Sequence, residues 1–242
     1  MGEIQKKLDQ KQIEAFYVSH FAADQVTHFK SLLKTDKMSF SKTVVDVGGG
    51  CGYFARHLNE ETGLQVRVLD TDAQSVATCH EQSIEAVCDD ALAPKIIGDE
   101  EIVCFNLILH HLIADDDKST EQLQKKALNV WRANANYIFV NEYVYDSFIG
   151  NLSGRIIYEV TRNRLLSNIG KLVSRFVPSL RANTFGIGVR FRSHAEWEAL
   201  FLESGFRVVS RIKGQVEPLS LARRLLLINE KRRDSFLLSP VA

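Results

Sequence analysis

The segment Thr43-Val44-Val45-Asp46-Val47-Gly48-Gly49-Gly50-Cys51-Gly52-Tyr53-Phe54 joins a short apolar run to a glycine turn, with a carboxylate just before the turn. Val44, Val45 and Val47 suit a buried parallel strand, and Gly48, Gly50 and Gly52 let backbone approach a ligand where a Cβ would clash. A helix starting in such a turn presents unpaired N–H groups to that ligand. The pattern therefore predicts a cofactor lying across a strand end. Further acids close later apolar runs: Asp70 ends Gln65-Val66-Arg67-Val68-Leu69, and Asp89 and Asp90 follow Ala86-Val87-Cys88. The run from Ile102 to Leu109 leads into His110-His111-Leu112, two imidazoles able to move a proton near neutral pH.

The loop lacks a dinucleotide fingerprint. That fingerprint needs G-x-G-x-x-G, and from Gly48 or Gly50 the third place falls on Tyr53 or Ala55. Asp46-x-Gly48-x-Gly50-x-Gly52 instead resembles the first motif of the class I S-adenosylmethionine (SAM)-dependent methyltransferases, and the later acids and the Leu109-His110-His111-Leu112 run follow in that family's order. The resemblance spans about residues 40–145 and, more loosely, 190–230. It implies SAM as cofactor, with Gly48, Gly49, Gly50 and Gly52 against its aminocarboxypropyl arm and ribose and Asp46 orienting its amino group. It also implies Asp70 on the ribose and Asp89, favoured over Asp90, on the adenine amino group, with a backbone N–H near Ala91 and Leu109 along the cofactor wall.

Methyl transfer from a sulfonium is an in-line displacement with an activated leaving group, so positioning supplies most of the acceleration. A base is needed only where the acceptor must lose a proton, and His110 and His111 are the catalytic candidates, their alternative being to shape the pocket. His20, His28 and Tyr17 are weaker candidates. Asn141, Glu142 and Tyr143 are expected to follow the fifth strand and face the acceptor pocket, although helix capping or loop packing also explains Asn141 and Glu142.

The elements that must position these residues form a doubly wound α/β pattern. Helical spacing over Ile4 to Leu33, through Ile13, Phe16, Tyr17, Phe21, Val26, Phe29 and Leu32, predicts an N-terminal helical cap over residues 1–40, closing on the cofactor. Residues 41–242 then read as one Rossmann-like methyltransferase domain. Helices are expected over 53–62, 73–82, 119–131 and 194–203, and the fifth strand over 137–140. Strands six (205–212) and seven (224–229) are joined too closely for a crossover helix. They should pair antiparallel, giving a seven-stranded, mostly parallel sheet with a reversed last strand.

The balanced composition hides a division: residues 1–150 carry 14 Lys+Arg against 23 Asp+Glu, whereas residues 151–242 carry 16 against 7. An acidic cofactor half suits a cationic ligand, and the basic half suits an anionic or carrier-linked small-molecule substrate or simply a solvated face. An insertion over about 150–192 is expected to select the substrate. Within it Leu165, Leu166, Ile169, Leu172, Val173, Phe176 and Val177 recur at helical spacing beside Arg164, Lys171 and Arg175. This basic amphipathic helix over about 164–177 is expected to pack as a lid, or to meet a membrane surface, an acyl carrier or another acidic partner. Cys51, Cys79, Cys88 and Cys104 show no paired spacing and fall in or beside elements expected to be buried, so free thiols rather than disulfides or a metal site are predicted. No apolar run is long enough for a transmembrane segment, and the first residues lack a secretory stretch, which predicts a cytoplasmic location. No Asn/Asp-Pro-Pro-Tyr/Phe signature follows the fourth strand, which disfavours DNA as a partner. The reading is thus a SAM-dependent methyltransferase. Transfer of a non-methyl group, such as cyclisation of the aminocarboxypropyl arm, and a non-catalytic SAM-binding or RNA-binding module are the rivals.

Overall fold

Apolar, largely β-branched runs build the centre of the molecule. The computed structural model describes residues 19–35, 43–180 and 184–241. In it Thr43–Val47 (β1), Val66–Asp70 (β2), Glu85–Cys88 (β3), Glu100–Asn106 (β4) and Tyr137–Ser147 (β5) lie parallel. Ile228–Pro240 (β7) runs antiparallel between β5 and Phe206–Ile212 (β6), giving the order β3-β2-β1-β4-β5-β7-β6. The seven strands and the reversed last one agree with the expectation. All the parallel strands thus deliver their carboxyl ends, with the acids and histidines, to one edge, the usual place for ligands in open α/β sheets.

Ser19–Thr35 (α1), Tyr53–Thr62 (α2) and Ala73–Glu81 (α3) cover one face of the sheet, burying Val26, Phe29, Phe54, Leu58 and Val76 against Val44, Cys104 and Phe139. Asp117–Asn129 (α4) and His194–Glu203 (α7) cover the other, with Leu128, Trp197, Leu200 and Phe201 against Val103, Phe105, Val140 and Phe236. Between β5 and α7 lie Leu152–Arg162 (α5) and Arg164–Phe176 (α6), the latter capped by Asn163, and Leu221–Leu225 (α8) precedes β7. On the first face Phe139 meets Phe29 edge-on at 5.3 Å between ring centroids and stacks on Phe54 at 6.3 Å. Phe139→Ala is expected to destabilise the fold by about 3–5 kcal/mol through the cavity it opens, read as a lowered denaturant midpoint with an unchanged slope.

Several boundaries differ from the sequence reading. Strand seven does not begin at Arg224: Ser220 accepts the N–H of Arg223 and caps α8, Leu227 turns at φ 62°, and of the expected run only Ile228 and Asn229 lie in β7, which continues to Pro240. β5 continues to Ser147, so Asn141, Glu142 and Tyr143 lie within the strand and neither Asn141 nor Glu142 caps a helix. β3 is an edge strand, and its Cys88 is exposed while Cys51, Cys79 and Cys104 are buried. Ile4, Ile13, Phe16 and Tyr17 lie outside the described residues. The described helix α1 packs flat on the sheet through Val26, Phe29, Leu32 and Leu33, and within it Gln25 reaches the strand ends.

Candidate active site

The turn after β1 is shaped by its glycines. Gly48, Gly50 and Gly52 all have left-handed φ values, and Gly52 opens α2. Gly49 is required for another reason: a Cβ there would lie 2.4 Å from Asp46 Oδ2. The turn is tied to the next strand by Gly48 N–H donating to the Leu69 carbonyl (2.7 Å) and Gly50 N–H donating to Asp70 Oδ2 (2.9 Å). Asp70 also accepts the Asp72 N–H at Oδ1 (2.8 Å). On the neighbouring strand tip, partly buried Asp89 accepts from the N–H groups of Asp90 and Lys95 and so shapes the loop that carries Ala91. Asp90 is exposed and accepts the Leu92 N–H.

A row of polar side chains crosses the strand ends on the α1 face. Asp46 is fully buried and accepts a hydrogen bond at Oδ1 from Asn106 Nδ2 (3.0 Å). Asn106 is in register with Asn141, whose Nδ2 donates to Ser235 Oγ (2.8 Å) and whose Oδ1 accepts from Gln25 Nε2 (3.2 Å). His28 joins the row through Nδ1 and Ser235 Oγ at 2.9 Å. Burial pushes Asp46 up to about 7, with Asp70 adding to the rise and the Asn106 hydrogen bond opposing it. Three buried oxygens in this row have no hydrogen-bond partner among the described residues: Asp46 Oδ2, Asn106 Oδ1 and Gln25 Oε1. All three are acceptors. Buried polar groups are nearly always satisfied, so the row calls for hydrogen-bond donors.

The opposite face supplies a proton-handling pair. Leu107 sits in the left-handed region at φ 57°, unusual for a branched side chain, and it swings the chain from β4 into the short turn Leu109–His111. The turn places His110 Nδ1 2.7 Å from Glu142 Oε2, while Glu142 Oε1 accepts the Leu109 N–H at 2.7 Å and Oε2 the Tyr143 N–H at 3.2 Å. Both side chains are buried. Burial lowers His110 to about 3 and raises Glu142 to about 8, His111 and the backbone donors opposing the latter. His111 is half-buried, 4.1 Å ring to ring from His110, and is lowered by burial first and by His110 second. Phe191 stacks on Tyr145 (4.2 Å) and on His110 (5.0 Å), and Tyr143 completes an aromatic wall.

The structure thus brings together Asp46, the glycine turn, Asp70 and Asp89, and pairs His110 with Glu142. The sequence reading does not single out Gln25 or Asn106 and does not link Glu142 to a histidine. Asn106 could have been found as the polar residue that shares a strand face with Cys104 in an otherwise apolar run. Burial raises the Cys79 thiol to about 12, which leaves it unreactive beside the loop. Among the described residues no cluster of His, Cys, Asp and Glu could hold a metal ion.

No family model and no curated protein matches the chain. Solved structures do. The mitomycin 7-O-methyltransferase MmcR matches with a TM-score of 0.55 and 15% identity, over 92% of this chain and 54% of MmcR. MccD matches with a TM-score of 0.60 and 12% identity, over 91% of this chain and 96% of MccD. LepI, solved as a variant with S-adenosylhomocysteine (SAH) and a substrate analogue, matches with a TM-score of 0.56 and 13% identity, over 86% of this chain and 46% of LepI. The chain spans about half the length of MmcR and of LepI. Its sheet order, reversed last strand and these likenesses define the class I SAM-dependent methyltransferase fold.

Proposed function

We propose that the chain binds SAM across the carboxyl edge of the sheet and catalyses methyl transfer to a small or carrier-linked, anionic acceptor. The observation that carries this reading is the row of three orphaned acceptors across the strand ends, which begins at Asp46 against the glycine turn. Asp46 Oδ2, Asn106 Oδ1 and Gln25 Oε1 are acceptors for N–H donors, and the methionine arm of SAM carries an ammonium group that would donate to this row. The Gly48–Gly52 turn would take the rest of that arm, Asp70 the ribose hydroxyls, and Asp89 with the Ala91 backbone the adenine. Leu109 lies buried at the end of the same edge. SAM supplies a methyl group on a sulfonium, an activated leaving group. His110, held by Glu142, takes the acceptor's proton, and the wall of Tyr143, Tyr145 and Phe191 excludes water from it. MmcR, whose name makes it an O-methyltransferase, and the SAH complex of LepI are consistent with this reading. The anionic character of the acceptor rests on the excess of bases over acids in residues 151–242, and a cytoplasmic location is part of the same proposal.

Calorimetry tests the cofactor directly. SAM and SAH are expected to bind, and NADH is not; the reverse pattern would end the proposal. The pH dependence has a defined sign. Only ionised Asp46 attracts an ammonium, and Asp46 titrates near 7 in the free protein. SAM affinity should therefore fall as pH drops below 7, by up to about tenfold for each pH unit. Asp46→Asn should weaken binding and flatten that dependence. With an acceptor, SAH as product marks methyl transfer, whereas methylthioadenosine would mark the rival non-methyl chemistry.

A further inference from the structure

Helix α6 is packed inside out. Its small residues face the protein, with Ser167 and Ser174 buried, while Leu165, Ile169, Leu172 and Phe176 are 75%, 58%, 54% and 80% exposed. Their i, i+4, i+7, i+11 spacing makes one continuous stripe, widened on one side by Leu166 and Val173. At 100° per residue Arg164, Lys171 and Arg175 line the other flank. The short helix α8 repeats the pattern, with Leu221 and Leu225 both 76% exposed beside Arg223 and Arg224. The two helices are bridged: Arg223 Nε donates to the Ser179 carbonyl in the turn that follows α6 (2.9 Å). Arg164, Lys171, Arg175 and Arg224 make no ion pair among the described residues, and from residue 163 to residue 191 the sequence holds no acid.

We propose that this face of α6 and α8 docks on an anionic lipid surface. Its charge selects the occupant. In a two-fold dimer a patch meets its own copy, and here that would set these unpaired bases against one another. An apolar stripe flanked by bases is the form taken by helices that lie in a membrane interface, where alkyl side chains enter the acyl boundary and bases meet headgroups. No described helix is long and apolar enough to cross a membrane, so the contact is peripheral. The proposal is independent of which group is transferred, because none of these residues belongs to the candidate site.

Co-sedimentation with vesicles tests it. The full chain should pellet with phosphatidylcholine vesicles containing phosphatidylserine, should stay in solution with phosphatidylcholine alone, and should be released by added salt. The double variant Leu172→Gln with Phe176→Gln exchanges exposed side chains, so an unchanged melting curve is expected together with at least about tenfold weaker partitioning. Lys171→Gln and Arg175→Gln should each weaken it by roughly fivefold. Failure of the wild-type chain to pellet with anionic vesicles would overturn the proposal. So would partitioning unaffected by the double variant, a self-associated species in ultracentrifugation that the double variant dissociates, or capture of an acidic carrier protein without vesicle binding.

Discussion

Replacing Gly49 by Ala is expected to weaken SAM binding by at least about 30-fold and to lower the melting temperature by about 2–10 °C. The added methyl would lie 2.4 Å from Asp46 Oδ2, 2.8 Å from Asp46 Cγ and 3.1 Å from a Val68 methyl group. None of these atoms is the free end of a flexible chain, because Asp46 is fully buried and hydrogen-bonded to Asn106. The carboxylate must move, and with it the partner of the cofactor's ammonium, in a place where a lost buried charge contact is worth about 2–5 kcal/mol. Gly63→Ala is the control. Gly63 has φ 72°, and nothing lies within 4 Å of its added methyl, so that variant should lose about 1–2 kcal/mol of stability through backbone strain alone and bind SAM normally. Calorimetric titration and thermal melts on both variants separate the two effects, and SAM affinity preserved in the Gly49 variant would remove Asp46 from the cofactor site.

The same contrast between local and distant contacts explains what could be read from the sequence. The glycine turn, Asp70 and the reversed last strand depend on neighbours within a few residues, or on a loop too short for a crossover, and each was legible. The extent of β7 was not. Its run Glu230-Lys231-Arg232-Arg233-Asp234 reads as a solvated segment, yet Arg232 and Asp234 are buried, paired with each other and, for Arg232, with Asp146 on β5. Gln25, Asn106 and Asn141 come together only through the β4–β5 register and the docking of α1, neither of which periodicity reports. The spacing in α6 predicts its helix, but a periodicity marks an apolar face without saying which way it points. Buried Ser167 and Ser174 turn that face outward rather than down as a lid.

Glu142→Gln is expected to lower acceptor turnover by about 10²–10⁴-fold while changing SAM affinity by less than about threefold. The reason is the tautomer of His110. Below about pH 8 the buried Glu142 keeps its proton and donates it to Nδ1 of a neutral His110, whose remaining proton then sits on Nε2 and cannot accept another. Above that value Glu142 is a carboxylate accepting from Leu109 N–H, Tyr143 N–H and His110 Nδ1–H, and Nε2 is left with a free lone pair. Turnover should therefore rise with pH and level off above about 8; as Nε2 takes the acceptor's proton the Nδ1 proton passes to the Glu142 carboxylate, so no imidazolium accumulates at a His110 that burial lowers to about 3. Glutamine at position 142 can still accept from Leu109, but its amide donates permanently to Nδ1 and holds the unproductive tautomer at every pH, so the rising limb disappears. Nitrogen chemical shifts of labelled histidine give a readout that needs no acceptor. The wild-type signal should pass between two neutral tautomers near pH 8, and the Gln variant should remain in one. An imidazolium signal titrating near neutral pH would show instead that His110 is solvated and that Glu142 does not control it.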